Sequence, residues 1–231
     1  MRFDEQGSTK PILQDRGGEE PMSTSPEGNF VARLKCGAVP WNPYRILSPA
    51  GERIGELCLI TRDIASEHDT VAMLCKWRSN HRDRFLTVFN PTLDSTKRYL
   101  QTIYLPDNTR VLFLLKEYDR FVGNFGLAHI SGESAELDNV IRSEDVKHKS
   151  FMQHAQLALI GWASESMSIK KFYLHVLSEN VKAIRHYERV GFGAVSSTPL
   201  RRQNFDDGYK LIPDPEASRS DLALLRMELN I

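Results

Sequence analysis

Three strand-length apolar runs follow one another with only short polar breaks: RVLFLLKEY from Arg110, RFVGNFGLAHI from Arg120 and SAELDNVIR from Ser134. Runs so close in sequence read as a local antiparallel meander. Directly after it, Met152, Ala155, Leu159 and Trp162 or Ala163 recur at helical spacing across Phe151–Met167. Aromatic and β-branched residues then make Phe172–Leu177 a strand. Beyond it Asn180 is placed to cap a helix whose Ala183, Ile184 and Tyr187 share one face, and Gly191 to end that helix in the left-handed conformation.

Upstream, LCLI from Leu57 reads as a strand, Val71, Leu74 and Trp77 mark one amphipathic helix, and Tyr99, Leu100 and Ile103 a second. Asp221–Leu229 supplies a late strand. The sum is an α/β fold with mixed strand pairing, neither a bundle nor a barrel. Residues 1–29, rich in Gly, Pro, Ser and charge, are expected to be flexible. Residues 30–56, with Trp41, Tyr44, Ile46 and Leu47, are expected to form a small packed addition, and residues 57–231 the main domain.

Charge narrows the function classes. Lysine plus arginine total 30 and aspartate plus glutamate total 30, which argues against a chain held mainly by nucleic-acid phosphates. Cys36, Cys58 and Cys75 have no close metal-ligand spacing, and their odd number does not suit a secreted disulfide scaffold. The start of the chain lacks an apolar signal core and no later stretch reads as a membrane span, so the expectation is a cytoplasmic protein without a membrane partner. No His-Glu-x-x-His signature or similar compact cluster points to a metal.

The element order, with AELDNVIRS, the helix containing ALIGWA, and SENVKAIRHYERVGF, resembles the GCN5-related N-acetyltransferase (GNAT) family over Leu57–Leu229, most strongly over Ala135–Phe192. The resemblance implies a mostly antiparallel central sheet with flanking helices and a splayed pair of strands, here around Glu136–Arg142 and Lys171–Leu177. That gap would admit the arm of acetyl-coenzyme A or another short acyl-coenzyme A, with no metal. In VKHKSFMQHA the cofactor phosphates would lie over Lys147, His148, Lys149, Ser150, Phe151 and Met152, where a helix start and basic residues favour an anion. His148 and Ser150 stand where the family has glycines, and a solvated charge run is the plain alternative. Val140, Arg142, Val176, Asn180 and Ala183 would complete the cofactor site.

By the same resemblance Tyr187 lies near the cofactor sulfur and protonates the departing thiolate, although a core tyrosine would fit the pattern too. The acceptor amine must lose a proton, for which Glu136 and Asp138 are the nearest candidates and His129 and Glu133 weaker ones. Alternation puts Glu136 and Asp138 on one strand face, Leu137 and Asn139 on the other. Transfer would be direct, with a backbone amide near Leu174–Val176 stabilising the oxyanion.

Arg78, Arg82 and Arg84 near a helix end suggest a basic rim suited to the phosphates of a nucleotide-linked amino sugar. That small-molecule acceptor is the expectation, with a homodimer allowed for. A ribosomal or other protein amino terminus, an aminoglycoside, or noncatalytic acyl-coenzyme A binding are the alternatives.

Overall fold

The computed structural model describes residues 28–143, 145–214, 216–217 and 222–231. The stretch expected to be flexible therefore lies outside the described residues except at its end. There Asn29 has a definite role: its Oδ1 accepts the Ala32 N–H at 3.0 Å and caps α1 (Phe30–Lys35).

After α1 come β1 (Tyr44–Leu47), β2 (Arg53–Leu59), α2 (Arg62–Ser66) and α3 (His68–Asn80). A 3₁₀ turn (Arg82–Arg84) leads to β3 (Thr87–Phe89), and α4 (Leu93–Tyr99) runs on into a π-helical turn (Leu100–Tyr104). The meander is β4 (Val111–Glu117), β5 (Arg120–Ser131) and β6 (Ser134–Arg142). It is followed by α5 (Phe151–Met167), β7 (Lys171–Leu177), α6 (Val181–Val190), β8 (Gly193–Phe205), β9 (Gly208–Pro213) and β10 (Ala223–Asn230).

The strands lie in the order β1-β2-β4-β5-β6-β7-β10-β8-β9-β3. Every neighbouring pair is antiparallel except β6–β7, which the α5 crossover makes parallel. Strand β4 shows why its sequence is apolar without alternation, since both its faces are covered. Phe113 and Leu115 face the core built with α5, while Leu112 and Leu114 face the one built with α3 and α4. The second core takes in Val71, Leu74, Trp77, Leu100 and Tyr104, and the Tyr104 hydroxyl donates to the Ile60 carbonyl at 2.6 Å.

The expected division between residues 56 and 57 falls inside β2. Val31, Leu34, Ile46 and Ile54 belong to the same core as α5, and Trp41 packs on Phe113 and Trp162 with ring centroids 5.3 and 5.5 Å apart. Lys35 is buried and donates to the Tyr104 and Asp107 carbonyls at 2.8 and 2.6 Å, tying α1 to the end of the π turn. Burial lowers its ammonium pKa to about 8. No helix of the described residues is long and apolar enough to cross a membrane.

Candidate active site

Strands β6 and β7 pair only at Ser134↔Lys171, Ala135↔Phe172 and Glu136↔Tyr173. Beyond Glu136 they separate, although β6 continues to Arg142 and β7 to Leu177. A bulge in β6 accompanies the separation: Asp138 pairs with Gly126 of β5 but Ile141 pairs with Asn124, so three steps on one strand match two on the other. Asn139 carries the extra residue in the left-handed region at φ 54°, and Asn124 Nδ2 holds its carbonyl at 2.7 Å. Gly126 makes room for the neighbouring strand, since a Cβ there would sit 2.0 Å from the Val111 carbonyl oxygen.

The bulge corrects one sequence expectation. Simple alternation puts the Asn139 side chain opposite Asp138, but the left-handed residue turns it back. Its Nδ2 donates to Asp138 Oδ2 at 2.9 Å and to the Tyr99 hydroxyl at 3.1 Å. Past the bulge, Val140 packs against the α5 core and Ile141 lies in the α3–α4 core.

Glu136 and Asp138 do share a face, yet each has its own partners. Glu136 bonds His175 Nδ1 at 2.7 Å and lies 3.6 Å from His129 Nε2. Asp138 is ion-paired with Arg110, which also holds Asp107 at 3.3 Å. Arg110, Tyr99 and His175 are site residues that the sequence reading missed. Arg110 immediately precedes β4 and Tyr99 ends α4, far from Asp138 in sequence, and no local pattern announces their meeting.

Tyr187 is buried on α6, with the ring of Phe192 at 6.2 Å and that of His186 at 5.6 Å. Burial raises its pKa well above the ordinary phenol value, and the charge of Asp138 adds to the rise. The phenol thus keeps its proton and senses the carboxylate of β6. Its helix starts as read from sequence: Asn180 Oδ1 accepts the Ala183 N–H at 3.3 Å, and Gly191 ends it at φ 114°. Val176 is buried in the α5 core.

The three arginines expected to form one rim differ in exposure and in partners. Arg78 is largely enclosed; Nη2 donates to the Thr87 carbonyl at 2.8 Å, and the guanidinium stacks 3.5 Å from the Phe85 ring centre. Its Nη1 is buried with no partner among the described residues. Burial lowers its pKa to about 10, against the charges of Tyr99 and Asp138. Arg82 bonds Asn90 and Arg84 lies 3.5 Å from Asp83, both on the exposed turn.

At the start of α5 the Phe151 and Met152 side chains are buried, so these residues offer a ligand only their backbone. The Phe151 N–H bonds the His148 carbonyl at 3.0 Å, while the N–H groups of Lys149, Ser150, Met152 and Gln153 find no acceptor among the described residues. Those of Lys147 and His148 are taken, at 2.9 and 2.7 Å, by the carboxylate of Glu117. His148 Nδ1 is buried without a partner among the described residues. His186 accepts or donates with Gln156 at 2.8 Å; burial lowers its pKa, and the charges of Arg189 and Arg142 lower it further. Open amides and an orphaned imidazole nitrogen at one helix start suit a pyrophosphate. The gap between β6 and β7 suits an extended arm. These residues fit an acyl-coenzyme A.

The spermidine N-acetyltransferase from Vibrio cholerae, solved with CoA and spermine, has a similar structure at 20% identity and a TM-score of 0.55, over 71% of this chain and 91% of its own. RimL, a ribosomal L7/L12 alpha-N-protein acetyltransferase solved with coenzyme A, is similar at 11% identity and a TM-score of 0.59, over 82% and 98%. The Campylobacter jejuni N-acetyltransferase PseH is similar at 16% identity and a TM-score of 0.51, over 77% and 98%. At such identities the likeness is one of fold, and no curated protein matches the chain. The profile of the acetyltransferase (GNAT) domain, however, matches residues 59–193, more than half the chain. The protein belongs to the GNAT family of acetyltransferases, enzymes that carry an acyl group from acyl-coenzyme A to an amine.

Proposed function

We propose that the acceptor is the α-amino group of a polypeptide. The observation that carries this reading is the charge balance beside the gap. Asp138 is spoken for by Arg110, Glu136 by two histidines, and Arg78 keeps an unused N–H within reach of the same charges. A polycation such as a polyamine or an aminoglycoside is best held by carboxylates free of cations. An α-amine, with an ordinary pKa of about 8 against about 10.4 for an alkylamine, gives up its proton to a weak base. The unused Arg78 N–H then suits a carbonyl or carboxylate oxygen near the chain terminus. The fold shared with RimL, a protein acetyltransferase by name, supports the same reading.

The nucleotide-linked amino sugar is the second reading, because a phosphate would also satisfy Arg78. Arg82 and Arg84, which should have joined it, are paired elsewhere.

When bound, acyl-coenzyme A would supply an activated thioester, whose acyl group passes to the amine nitrogen as the carbon–sulfur bond breaks and coenzyme A departs as the thiolate. Glu136, with His175 beside it, takes the proton of the amine, and Asp138 orders Asn139 and Tyr99 at the acceptor side. The edge of β7 beyond Tyr173, no longer paired with β6, offers backbone donors for the oxyanion around Leu174–Val176. Tyr187 delivers a proton to the sulfur. Arg142, Val140, Val176, Asn180, Ala183 and the loop from Lys147 to Met152 hold the cofactor. A cytoplasmic setting and self-association as a dimer belong to the same proposal.

A competition assay with amino-terminal peptides, nucleotide-linked amino sugars, free amino sugars, polyamines and aminoglycosides tests the acceptor. Peptides should be consumed at least about tenfold faster than the rest, a difference of about 1.4 kcal/mol in the transition state. Selective turnover of a polyamine or a nucleotide sugar would refute the peptide reading and leave the family reaction standing.

A further inference from the structure

We infer that Glu117 is a positioning residue for the pyrophosphate of the cofactor. It lies at the end of β4, is only 3% exposed, and belongs to none of the motifs that carry the family resemblance. Its two carboxylate oxygens divide their work: Oε2 accepts the Lys147 N–H at 2.9 Å and Oε1 the His148 N–H at 2.7 Å. Charge-assisted bonds of this kind are about twice as strong as neutral ones, and a buried carboxylate without such donors would be costly. The loop and the carboxylate therefore fix each other.

The consequence reaches the next residues. A loop without glycine at His148 and Ser150 has less backbone freedom to wrap a phosphate, so its shape has to be set from behind. Glu117 does so from the sheet side, and α5 is fixed to the neighbouring strand β2 by a second contact. A Cβ on Gly55 would meet the Lys116 carbonyl oxygen at 2.3 Å and the Phe151 ring at 2.6 Å, so the first residue of α5 packs tightly over Gly55 of β2. With Lys147 and His148 facing inward, the N–H groups left for an anion are those of Lys149, Ser150, Met152 and Gln153. The anion site is thereby moved onto the first turn of α5, with His148 Nδ1, which has no partner among the described residues, beside it. This inference rests on the acyl-coenzyme A reading of that helix start.

Glutamine at position 117 keeps the size but can accept only through its single carbonyl oxygen, and its amide would oppose the second N–H. Two acyl donors separate positioning from general stability: acetyl-coenzyme A has the pyrophosphate, and acetyl-pantetheine lacks it. With the amine that the wild-type protein consumes fastest, Glu117→Gln should lower kcat/KM for acetyl-coenzyme A about tenfold and leave acetyl-pantetheine within about twofold, and Glu117→Asp should recover part of the loss. An equal fall with both donors, or no fall with acetyl-coenzyme A, would overturn the inference while the cofactor reading stands. A wild-type protein that turns over neither donor would overturn both. Hydrogen exchange on the wild-type protein decides the matter even if Glu117→Gln does not fold. The Lys147 and His148 amides should exchange slowly with and without coenzyme A, whereas those of Lys149, Ser150 and Met152 should slow only when coenzyme A is added. Fast exchange at Lys147 and His148 in the free protein refutes the assignment.

Discussion

Tyr187→Phe should slow the acyl-transfer step by about 10²–10⁴-fold and change acyl-coenzyme A affinity little, the range expected for loss of a positioned proton donor. The ring contacts with Phe192 and His186 survive the change, so only the hydroxyl is removed. Burial and the Asp138 charge hold that hydroxyl in its protonated form throughout the neutral range, with the phenol pKa far above it. Single-turnover rates for the two proteins, with cofactor binding measured directly, separate chemistry from affinity. An unchanged single-turnover rate would remove Tyr187 from the mechanism.

Gly126→Ala should destabilise the fold by about 3–5 kcal/mol, at the severe end for a single substitution. The added Cβ would stand 2.0 Å from the Val111 carbonyl oxygen and 3.0 Å from the Leu112 Cα, both backbone atoms of the adjoining β4. Neither can swing away as a flexible side chain could, so relief requires opening the β4–β5 ladder. Gly126 is also the residue opposite Asp138, at the start of the bulge that accompanies the β6–β7 separation. Urea denaturation followed by circular dichroism gives the difference directly. A loss under about 1 kcal/mol would mean that the sheet yields easily here, contrary to this account.

These two residues also show what a sequence can and cannot disclose. Tyr187 is legible because its signals are local: the Asn180 cap, the helical face and the Gly191 stop all fall within a few residues. The meander, α5 and β10 are legible for the same reason, each having the period or apolar length of its element. The bulge at Asn139 is not, because nothing in ELDNV distinguishes a left-handed residue from an ordinary alternating one. Its cause lies in the neighbouring β5 and in Tyr99 across the fold. The partners of Glu136 and Asp138 escaped for a similar reason, as each comes from a different strand or helix end.

The β8–β9 hairpin was missed although it carried a signal. Asp207-Gly208 is a strong turn pair, but the flanking run from Gly193 is polar and mostly exposed, so it lacks the apolar alternation of a half-buried strand. The arginine rim failed differently. Arg78, Arg82 and Arg84 are close in sequence, but Arg78 is half-buried on α3 while Arg82 and Arg84 lie exposed on the turn after it. Sequence proximity near a helix terminus does not fix a shared exposure.

The central claim is that this chain carries an acyl group from acyl-coenzyme A to an amine. The measurement that tests it most directly is the release of free coenzyme A thiol from acetyl-coenzyme A, followed with and without an amine panel headed by amino-terminal peptides. The account predicts thiol release that depends on the amine, saturates with acetyl-coenzyme A and yields the N-acetylated product in equal amount. Saturable binding of acetyl-coenzyme A with no amine-dependent thiol release from any member of the panel would contradict it.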